Sequence, residues 1–175
     1  MIQINIKKRE AFKAAHDSNL TMKTISALLL AATLVVSGCA TVDMEPPSSS
    51  AKTKEFKAPN QGKAGLYIYR DSLMGKMLKK DLWINGKCLG ESGPDVFFYT
   101  EVEGGRKHKI ETESEFSPNA MELMVESGQT YFIRQYTRVG LVVEGANLER
   151  VSEARGKAAI AKLNMAKSGT CSAPR

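Results

Sequence analysis

Short apolar runs separated by turn residues occupy the chain from about residue 64 to residue 144. Within each run, apolar residues alternate with polar ones, and a strand turns successive side chains to opposite faces, so the pattern predicts half-buried strands. The seven candidate strands are residues 65–70, 81–85, 95–100, 107–112, 120–126, 130–136 and 141–144. Asn85-Gly86 predicts a tight turn because both residues tolerate a positive φ angle. We therefore predict a mainly β fold, a small antiparallel sandwich or barrel of about seven strands.

A helix is predicted at the C-terminal end of this domain. Ser152 is suited to the N-cap, and Glu153 would lie in the first turn, where unpaired N–H groups favour a carboxylate. The apolar face would consist of Ala154, Ala158, Ile160, Ala161 and Leu163. Gly156 weakens the helix and favours a break. The β-rich domain with its helix is thus expected over residues 63–164, followed by an irregular tail at 165–175.

The N-terminal region has the pattern of an export signal. Residues 25–36 (ISALLLAATLVV) are an apolar run that follows Lys23. The run is shorter than the roughly 20 residues that a membrane-spanning helix needs, and it fits the apolar region of a secretory signal. We predict that residues 1–38 are a signal peptide containing this helix. Because residues 1–21 would be an unusually long leader, Met22 is the expected start of translation.

The residues that end this run are Val36-Ser37-Gly38-Cys39. They resemble the lipobox of bacterial lipoproteins. The resemblance implies that signal peptidase recognises Val36, Ser37 and Gly38. It also implies that Cys39 becomes the N-terminus, bonded to diacylglycerol and acylated with a fatty acid such as palmitate. Two or more acyl chains make a durable membrane anchor. Ala40 stands where an aspartate would resemble an inner-membrane retention signal, so we expect the outer membrane, facing the periplasm.

Residues 39–62 follow as the lipid anchor and a linker. They are rich in Pro, Ser, Ala and Lys and have almost no apolar periodicity. Such a composition predicts a flexible tether.

The chain has three cysteines, Cys39, Cys88 and Cys171. With Cys39 bonded to lipid, two thiols remain in an oxidising periplasm, where pairing is expected. We predict a Cys88–Cys171 disulfide that pins the C-terminal helix against the sheet. The alternative is two separate structural thiols.

Five stretches carry a resemblance to a known family: residues 68–70, 83–87, 112–119, 131–136 and 145–149. Together they resemble a domain-of-unknown-function family, number 2846, of small bacterial lipoproteins, over roughly residues 63–164. The Asn-Gly-Lys turn, the Gly-Gly pair and the His-Lys-Ile strand are also similar to PEGA-type β-sandwich repeats. Neither resemblance supplies a catalytic residue.

Charge and motifs exclude several classes of function. The net charge is +6, but residues 1–38 hold five of the 25 basic and two of the 19 acidic residues, which leaves +3 for the remainder. No dense basic stripe with aromatic residues indicates nucleic-acid binding. Nor do we find HExxH, CxxC, GxSxG or phosphate-loop patterns, so no metal or cofactor site is predicted. His108 is expected to be a half-buried structural histidine.

Glu111, Glu113 and Glu115 are the best candidates for chemistry, because alternate residues share one face of a strand. They could bind calcium or act as an acid/base pair. The favoured alternative is a solvent-exposed face paired with Arg106, Arg134 or Arg138. Six aromatic residues could line a glycan- or peptide-binding face, although a core position is the better prediction: Tyr67, Tyr69, Phe97, Tyr99, Phe132 and Tyr136.

The sequence therefore favours a lipid-anchored module of the bacterial envelope that binds or scaffolds without catalysis. Its expected partners are the membrane, through the anchor, and an envelope protein or cell-wall polymer. The alternative is an envelope hydrolase or metal-binding protein that uses Glu111, Glu113 and Glu115.

Overall fold

A computed structural model describes residues 41–71, 78–114, 118–138 and 145–172, all within one compact unit, Cys39–Arg175. The strands in these ranges are β1 (Lys63–Arg70), β2 (Lys80–Ile84), β3 (Lys87–Ser92), β4 (Val96–Glu103), β5 (Arg106–Thr112), β6 (Asn119–Val125), β7 (Thr130–Arg138), β8 (Gly145–Val151) and β9 (Asn164–Met165). The helices are α1 (Pro47–Thr53) and α2 (Glu153–Ile160). Predictions for residues 1–38, Cys39, Glu115 and the strand at 141–144 lie outside the described residues. No helix in the described ranges is long and apolar enough to span a bilayer.

The strands form two sheets. The five-stranded sheet has the order β8-β7-β1-β4-β9, and the four-stranded sheet has the order β3-β2-β5-β6. The mainly β sandwich is thus confirmed. The pairing is mostly antiparallel, as predicted, and two pairs are parallel: β1 with β7, and β4 with β9. These partners are distant in sequence, so no hairpin turn forces them to run in opposite directions.

The main core lies between the sheets. Leu66 and Ile68 of β1 are fully buried in one cluster with Leu82 of β2 and Ile110 of β5. The two-residue alternation of each strand supplies this apolar face, as the sequence pattern predicts.

A second core covers the outer face of the five-stranded sheet. Tyr67, Tyr69, Phe97 and Phe132 are buried there together with Ile160 of α2. The rings of Tyr67 and Phe132 are stacked with their centroids 5.2 Å apart. The predicted core position is therefore confirmed for these four aromatic residues, whereas the remaining two of the six, on β4 and β7, are only half-buried.

The sequence analysis predicts neither β3 nor β8. Both contain glycine and few β-branched residues, so their intrinsic strand propensity is low. Gly90 in β3 is required by packing, because a Cβ there would lie 2.6 Å from the ring of Phe98. β8 is ordered by its antiparallel pairing with β7, from Val151 to Gly145. Pairing with the preceding strand thus overrides low strand propensity in both cases, β3 with β2 and β8 with β7.

The prediction of a flexible tether is wrong for residues 41–62, the part of the linker that the structure describes. The Lys167 amide donates to the Asp43 carbonyl at 2.7 Å, and the Glu45 amide donates to the Met165 carbonyl at 2.9 Å. Residues 43–45 therefore run along the outer side of β9. The α1 helix then docks on the second core, where the Tyr67 hydroxyl donates to the Thr53 carbonyl at 2.7 Å. Backbone hydrogen bonds order this segment in spite of its low apolar content.

The C-terminal helix forms where it is predicted. The Ser152 hydroxyl accepts a hydrogen bond from the Arg155 amide at 3.4 Å, as an N-cap should. The predicted break at Gly156 does not occur. Gly156 faces the sheet, and a Cβ there would lie 2.4 Å from the ring of Phe132, so its missing side chain permits close packing of the helix.

Candidate functional site

A cleft of about 600 Å³ opens at the end of the sandwich that carries the β2–β3 and β4–β5 turns. Its apolar lining comes from Ile84, Leu89 and Val102, which belong to both sheets. Ligand pockets in proteins have volumes of roughly 300–1,000 Å³, so the cleft is large enough for a small ligand or a short chain segment.

One wall of the cleft is held by a turn and a buried histidine. Asn85 and Gly86 have φ angles of 52° and 74°, the conformation expected for a tight hairpin turn. The Asn85 side chain lies 2.8 Å from Nδ1 of His108 and accepts a hydrogen bond from the Lys109 amide at 3.0 Å. Nε2 of His108 lies 2.8 Å from the Glu103 carbonyl. A carbonyl only accepts hydrogen bonds, so Nε2 carries the proton and Nδ1 accepts from Asn85.

His108 therefore uses both ring nitrogens to connect two turns. It is 5% exposed, more buried than the predicted half-buried position, and its structural role is as predicted. The sequence analysis does not identify Asn85 as its partner. Only the tight turn brings that amide across to β5.

The carboxylates of the cleft are already bonded. Glu103 pairs with Lys63, whose hydrogen bond and positive charge lower the pKa of this carboxyl. Glu101 accepts hydrogen bonds from the Tyr99 hydroxyl and the Asn60 side chain, both at 2.9 Å. These contacts use the acidic groups to hold the walls of the cleft.

Two cations on the rim remain available. Lys107 pairs with Glu122 at 3.1 Å. Lys87 and Arg106, in contrast, form no ion pair within 4.0 Å with any residue that the structure describes, and both are exposed. Arg106 is close enough to Glu103 for its charge to help lower the pKa of that carboxyl. The cleft thus combines an apolar lining with two positive charges at its opening.

Two members of the predicted glutamate cluster, Glu111 and Glu113, do not line this cleft. Glu111 is 2% exposed and pairs with Lys109 at 2.7 Å, and Glu113 pairs with Lys80 at 3.4 Å. Arg134, one of the expected partners of the cluster, instead contacts two other acidic residues, Asp71 and Glu149. Within the described ranges, no three His, Cys, Asp or Glu side chains are grouped so that they could hold a metal ion.

A buried polar network that the sequence analysis misses lies between the sheets. The Ser92 hydroxyl of β3 donates to Oε1 of Gln135 in β7 at 2.5 Å. Nε2 of Gln135 donates to the Thr112 hydroxyl of β5 at 2.7 Å. Gln135 is fully buried. Its side chain therefore connects β7 of the five-stranded sheet with β3 and β5 of the four-stranded sheet. The sequence holds one indication of this position: Gln135 follows Ile133 by two residues, so both side chains lie on the inward face of β7.

The disulfide between Cys88 and Cys171 is present, with the Cα atoms 6.0 Å apart. The Gly169 amide also donates to the Leu89 carbonyl of β3 at 2.9 Å. The prediction that this bond pins the C-terminal helix is wrong, because α2 packs on the other sheet through Gly156. It fixes the segment after β9, which crosses from the five-stranded sheet to the four-stranded one.

These features define a two-sheet β-sandwich with a helix-covered outer face and a disulfide-bonded C-terminal segment. Residues 60–146 match the family described as Protein of unknown function (DUF2846). An uncharacterized protein of Haemophilus influenzae is 56% identical over 140 residues, which is 80% of this chain and 83% of that protein. The chain belongs to this family of proteins of unknown function. No solved structure matches it.

Proposed function

We propose that the protein is an envelope lipoprotein, anchored through lipid on Cys39 to the outer membrane and facing the periplasm, that acts as a non-enzymatic binding module. The lipobox-like residues 36–39 support the anchor. The Cys88–Cys171 disulfide carries the proposal, because such bonds persist in oxidising compartments such as the bacterial periplasm. The two-sheet architecture is in keeping with the likeness to PEGA-type repeats at the turn of residues 85–87.

The binding site in this proposal is the cleft beside His108. Its volume of about 600 Å³ suits a short chain segment better than a protein surface. Lys87 and Arg106 at the rim favour a ligand that carries carboxylates, and the apolar lining favours aliphatic groups between them. The peptide stems of the cell-wall polymer combine these two properties. The alternative ligand is a peptide segment of an envelope protein, and the tests below distinguish the two.

Binding is favoured over catalysis by the state of the polar groups in the cleft. Both ring nitrogens of His108 hold the turns, and Glu101 and Glu103 are hydrogen-bonded to neighbouring side chains. A general base needs a lone pair directed at its substrate. The described polar groups of the cleft use theirs to maintain its shape.

The anchor is tested by metabolic labelling with a fatty-acid analogue. The wild type should be labelled and the Cys39→Ala variant should not. A Cys88→Ala/Cys171→Ala variant is the matched control, since it removes the other two cysteines and should still be labelled. Equal labelling of the wild type and Cys39→Ala would contradict the anchor.

The cleft is tested by titrating the detergent-solubilised mature protein with soluble peptidoglycan fragments that retain their stem peptides. We expect binding to the wild type and a loss of affinity of at least about tenfold in Lys87→Gln/Arg106→Gln, since charged hydrogen bonds contribute roughly 1.5–3 kcal/mol each. Lys52→Gln/Lys162→Gln removes two lysines outside the cleft and should bind normally.

Photo-crosslinking in cells from position 107, which lines the cleft but is not one of the two proposed binding cations, separates the two ligand sources. Adducts with cell-wall polymer support the proposal. Adducts with an envelope protein alone, or fragment binding that is equal in all variants, would contradict the assignment to cell-wall stems.

A further inference from the structure

The point at which the chain leaves the folded domain towards Cys39 is fixed by backbone pairing. Met44 forms an isolated antiparallel bridge with Ala166, next to the hydrogen bonds that involve Asp43 and Glu45. From Asp43 to Cys39 there are four residues. An extended chain advances at most about 3.6 Å per residue, so the chain can place Cys39 no more than about 14 Å from Asp43.

This exit point lies on one long side of the sandwich. The bridge is next to β9, an edge of the five-stranded sheet, and the C-terminal segment connects β9 to β3, an edge of the four-stranded sheet. A shallow cleft on this side is lined by residues 41–43, Lys79, Glu91, Lys167, Ser168 and Thr170. We call this cleft, together with the exposed residues Met44 and Leu78 that adjoin it in sequence, the anchor side. The other two edges, β6 and β8, form the far side. Strands lie about 4.8 Å apart, so β8 is about 19 Å from β9 across the sheet.

The docked segment prevents the domain from moving away on a long tether. Phe56 lies after α1, and its ring is 5.3 Å from Tyr67 and 6.0 Å from Phe132. Ser50 of α1 is 4% exposed, and its hydroxyl accepts a hydrogen bond from the Met165 amide at 3.2 Å. Moving the domain outward would require these contacts to break.

The anchor side has the composition of a surface that touches lipid without electrostatic attraction. Met44 and Leu78 are 42% and 38% exposed, and they are two of the three exposed large apolar residues in the described ranges. Lys79 is paired with Glu91 at 3.0 Å. Lys167 and Asp43, which carry opposite charges, line the same shallow cleft.

We propose that the anchor side rests against the phospholipid bilayer that holds the lipid of Cys39, and that the far side faces away from it. The inference rests on the proposed lipidation and adds an orientation to it. The bilayer is the occupant because the chain folded onto this side ends, four residues further on, in the membrane anchor. The far side, with exposed Met124 on β6, is then the side presented to the periplasm.

The experiment uses the full mature protein, lipidated in cells and reconstituted into phosphatidylcholine vesicles. A benzophenone amino acid replaces Met44 in one variant and Met124 in the other, so the same residue type is exchanged on the anchor side and on the far side. Ser168, which is also exposed, provides a second anchor-side position if the Met44 variant folds poorly. Illumination should yield phospholipid adducts from positions 44 and 168 and only background from position 124. High salt should not reduce the yield, because the charges on the anchor side are balanced.

A longer connection is the decisive control. Inserting about twelve Gly and Ser residues between Ala40 and Thr41 gives a flexible reach of roughly 20 Å and should abolish the adducts at position 44 while lipidation persists. Equal adducts from positions 44 and 124, adducts at 44 that survive the insertion, or no adducts from a protein with labelled lipid would overturn the orientation alone. Absence of fatty-acid label would overturn the anchor as well, so the two failures are distinguishable.

Discussion

Ser172 donates two hydrogen bonds to Oδ2 of the buried Asp81, from its backbone amide at 2.9 Å and from its hydroxyl at 2.8 Å. The preceding residue, Cys171, is bonded to Cys88 on the neighbouring strand. The C-terminal segment is thus held to the four-stranded sheet by one covalent bond and by a charge-assisted pair of hydrogen bonds, which are stronger than neutral ones. A segment that carries no regular structure is therefore an integral part of the sandwich.

The Cys88→Ala/Cys171→Ala variant should unfold at lower denaturant concentration than the wild type. The bond joins residues 83 apart in sequence, and the chain-entropy model gives an upper value of about 4–5 kcal/mol for a loop of this length. Chemical denaturation followed by circular dichroism measures the loss. A midpoint unchanged from that of the wild type would show that the hydrogen bonds to Asp81 suffice to hold the segment.

Gly156→Ala should destabilise the protein, although alanine is the better helix former by about 1 kcal/mol. The added Cβ would lie 2.4 Å from the ring of Phe132, which must shift within a closely packed core. Overpacking of this kind costs about 1–3 kcal/mol. Ala158→Gly, at an exposed position of the same helix, should cost about 1 kcal/mol through propensity alone. A more stable Gly156→Ala protein would mean that the helix can move away from the sheet.

Alkaline pH should unfold the protein by ionising a buried phenol. Burial raises the pKa of Tyr67 to about 12, above its ordinary value of 10.0. Stability from this group is complete below pH 10 and is lost as the pH rises through 12, because the unfolded state releases the proton more readily. Burial also raises the pKa values of Tyr69 and Tyr99, so they act in the same direction.

The measurement is a pH titration that follows tyrosinate absorbance and circular dichroism together. Tyr67→Phe should weaken the pH dependence above pH 10, at the cost of the hydrogen bond to the Thr53 carbonyl. Ionisation of all tyrosines near their ordinary pKa, without loss of structure, would contradict the prediction.

Replacing Gln135 should expose the role of the polar network between the sheets. Gln135→Leu removes the short hydrogen bonds to the Ser92 and Thr112 hydroxyls, which keep only longer contacts with the Gly93 and Asp81 carbonyls. We expect a loss of about 1–3 kcal/mol in the free energy of unfolding. The Ser92→Ala/Gln135→Leu double variant removes one of these groups, so its loss of stability should be smaller than the sum of the two single losses. Additive losses in equilibrium unfolding would indicate that the two residues do not interact.

Sequence patterns correctly predicted those features that depend only on residues close together in the chain. Ser152 forms the predicted cap because its hydroxyl reaches an amide three residues away. The Asn85-Gly86 turn follows from the backbone freedom of two adjacent residues. The same reasoning could not predict the docking of α1, because Ser50 of α1 bonds to Met165, 115 residues away. β3 was missed for another reason: it pairs with β2 across the Asn85-Gly86 turn, but its own residues have low strand propensity.

For the candidate site, the roles of some single residues were predicted, but the contacts between them were not. His108 was expected to have a structural role, but its bonds to Asn85 and to the Glu103 carbonyl depend on two turns meeting. Glu111 and Glu113 were expected on one shared face, yet each is held by a different lysine. Arg106 was considered only as a partner for the glutamates and Lys87 only as part of a turn, because the cleft is formed by residues that come from both sheets.

Most of the strands, in which apolar and polar residues alternate, the capped helix and the Cys88–Cys171 pair could be predicted from the sequence. These follow from side-chain periodicity, from hydrogen bonds over three or four residues, and from counting thiols. Only the tertiary structure decided that the segment before β1 folds back onto β9, that Gln135 bonds across the sheets and that the cleft carries two cations. Each of these features requires groups far apart in sequence to meet, and their stabilisation appears only once the apolar faces of the two sheets have already been buried together.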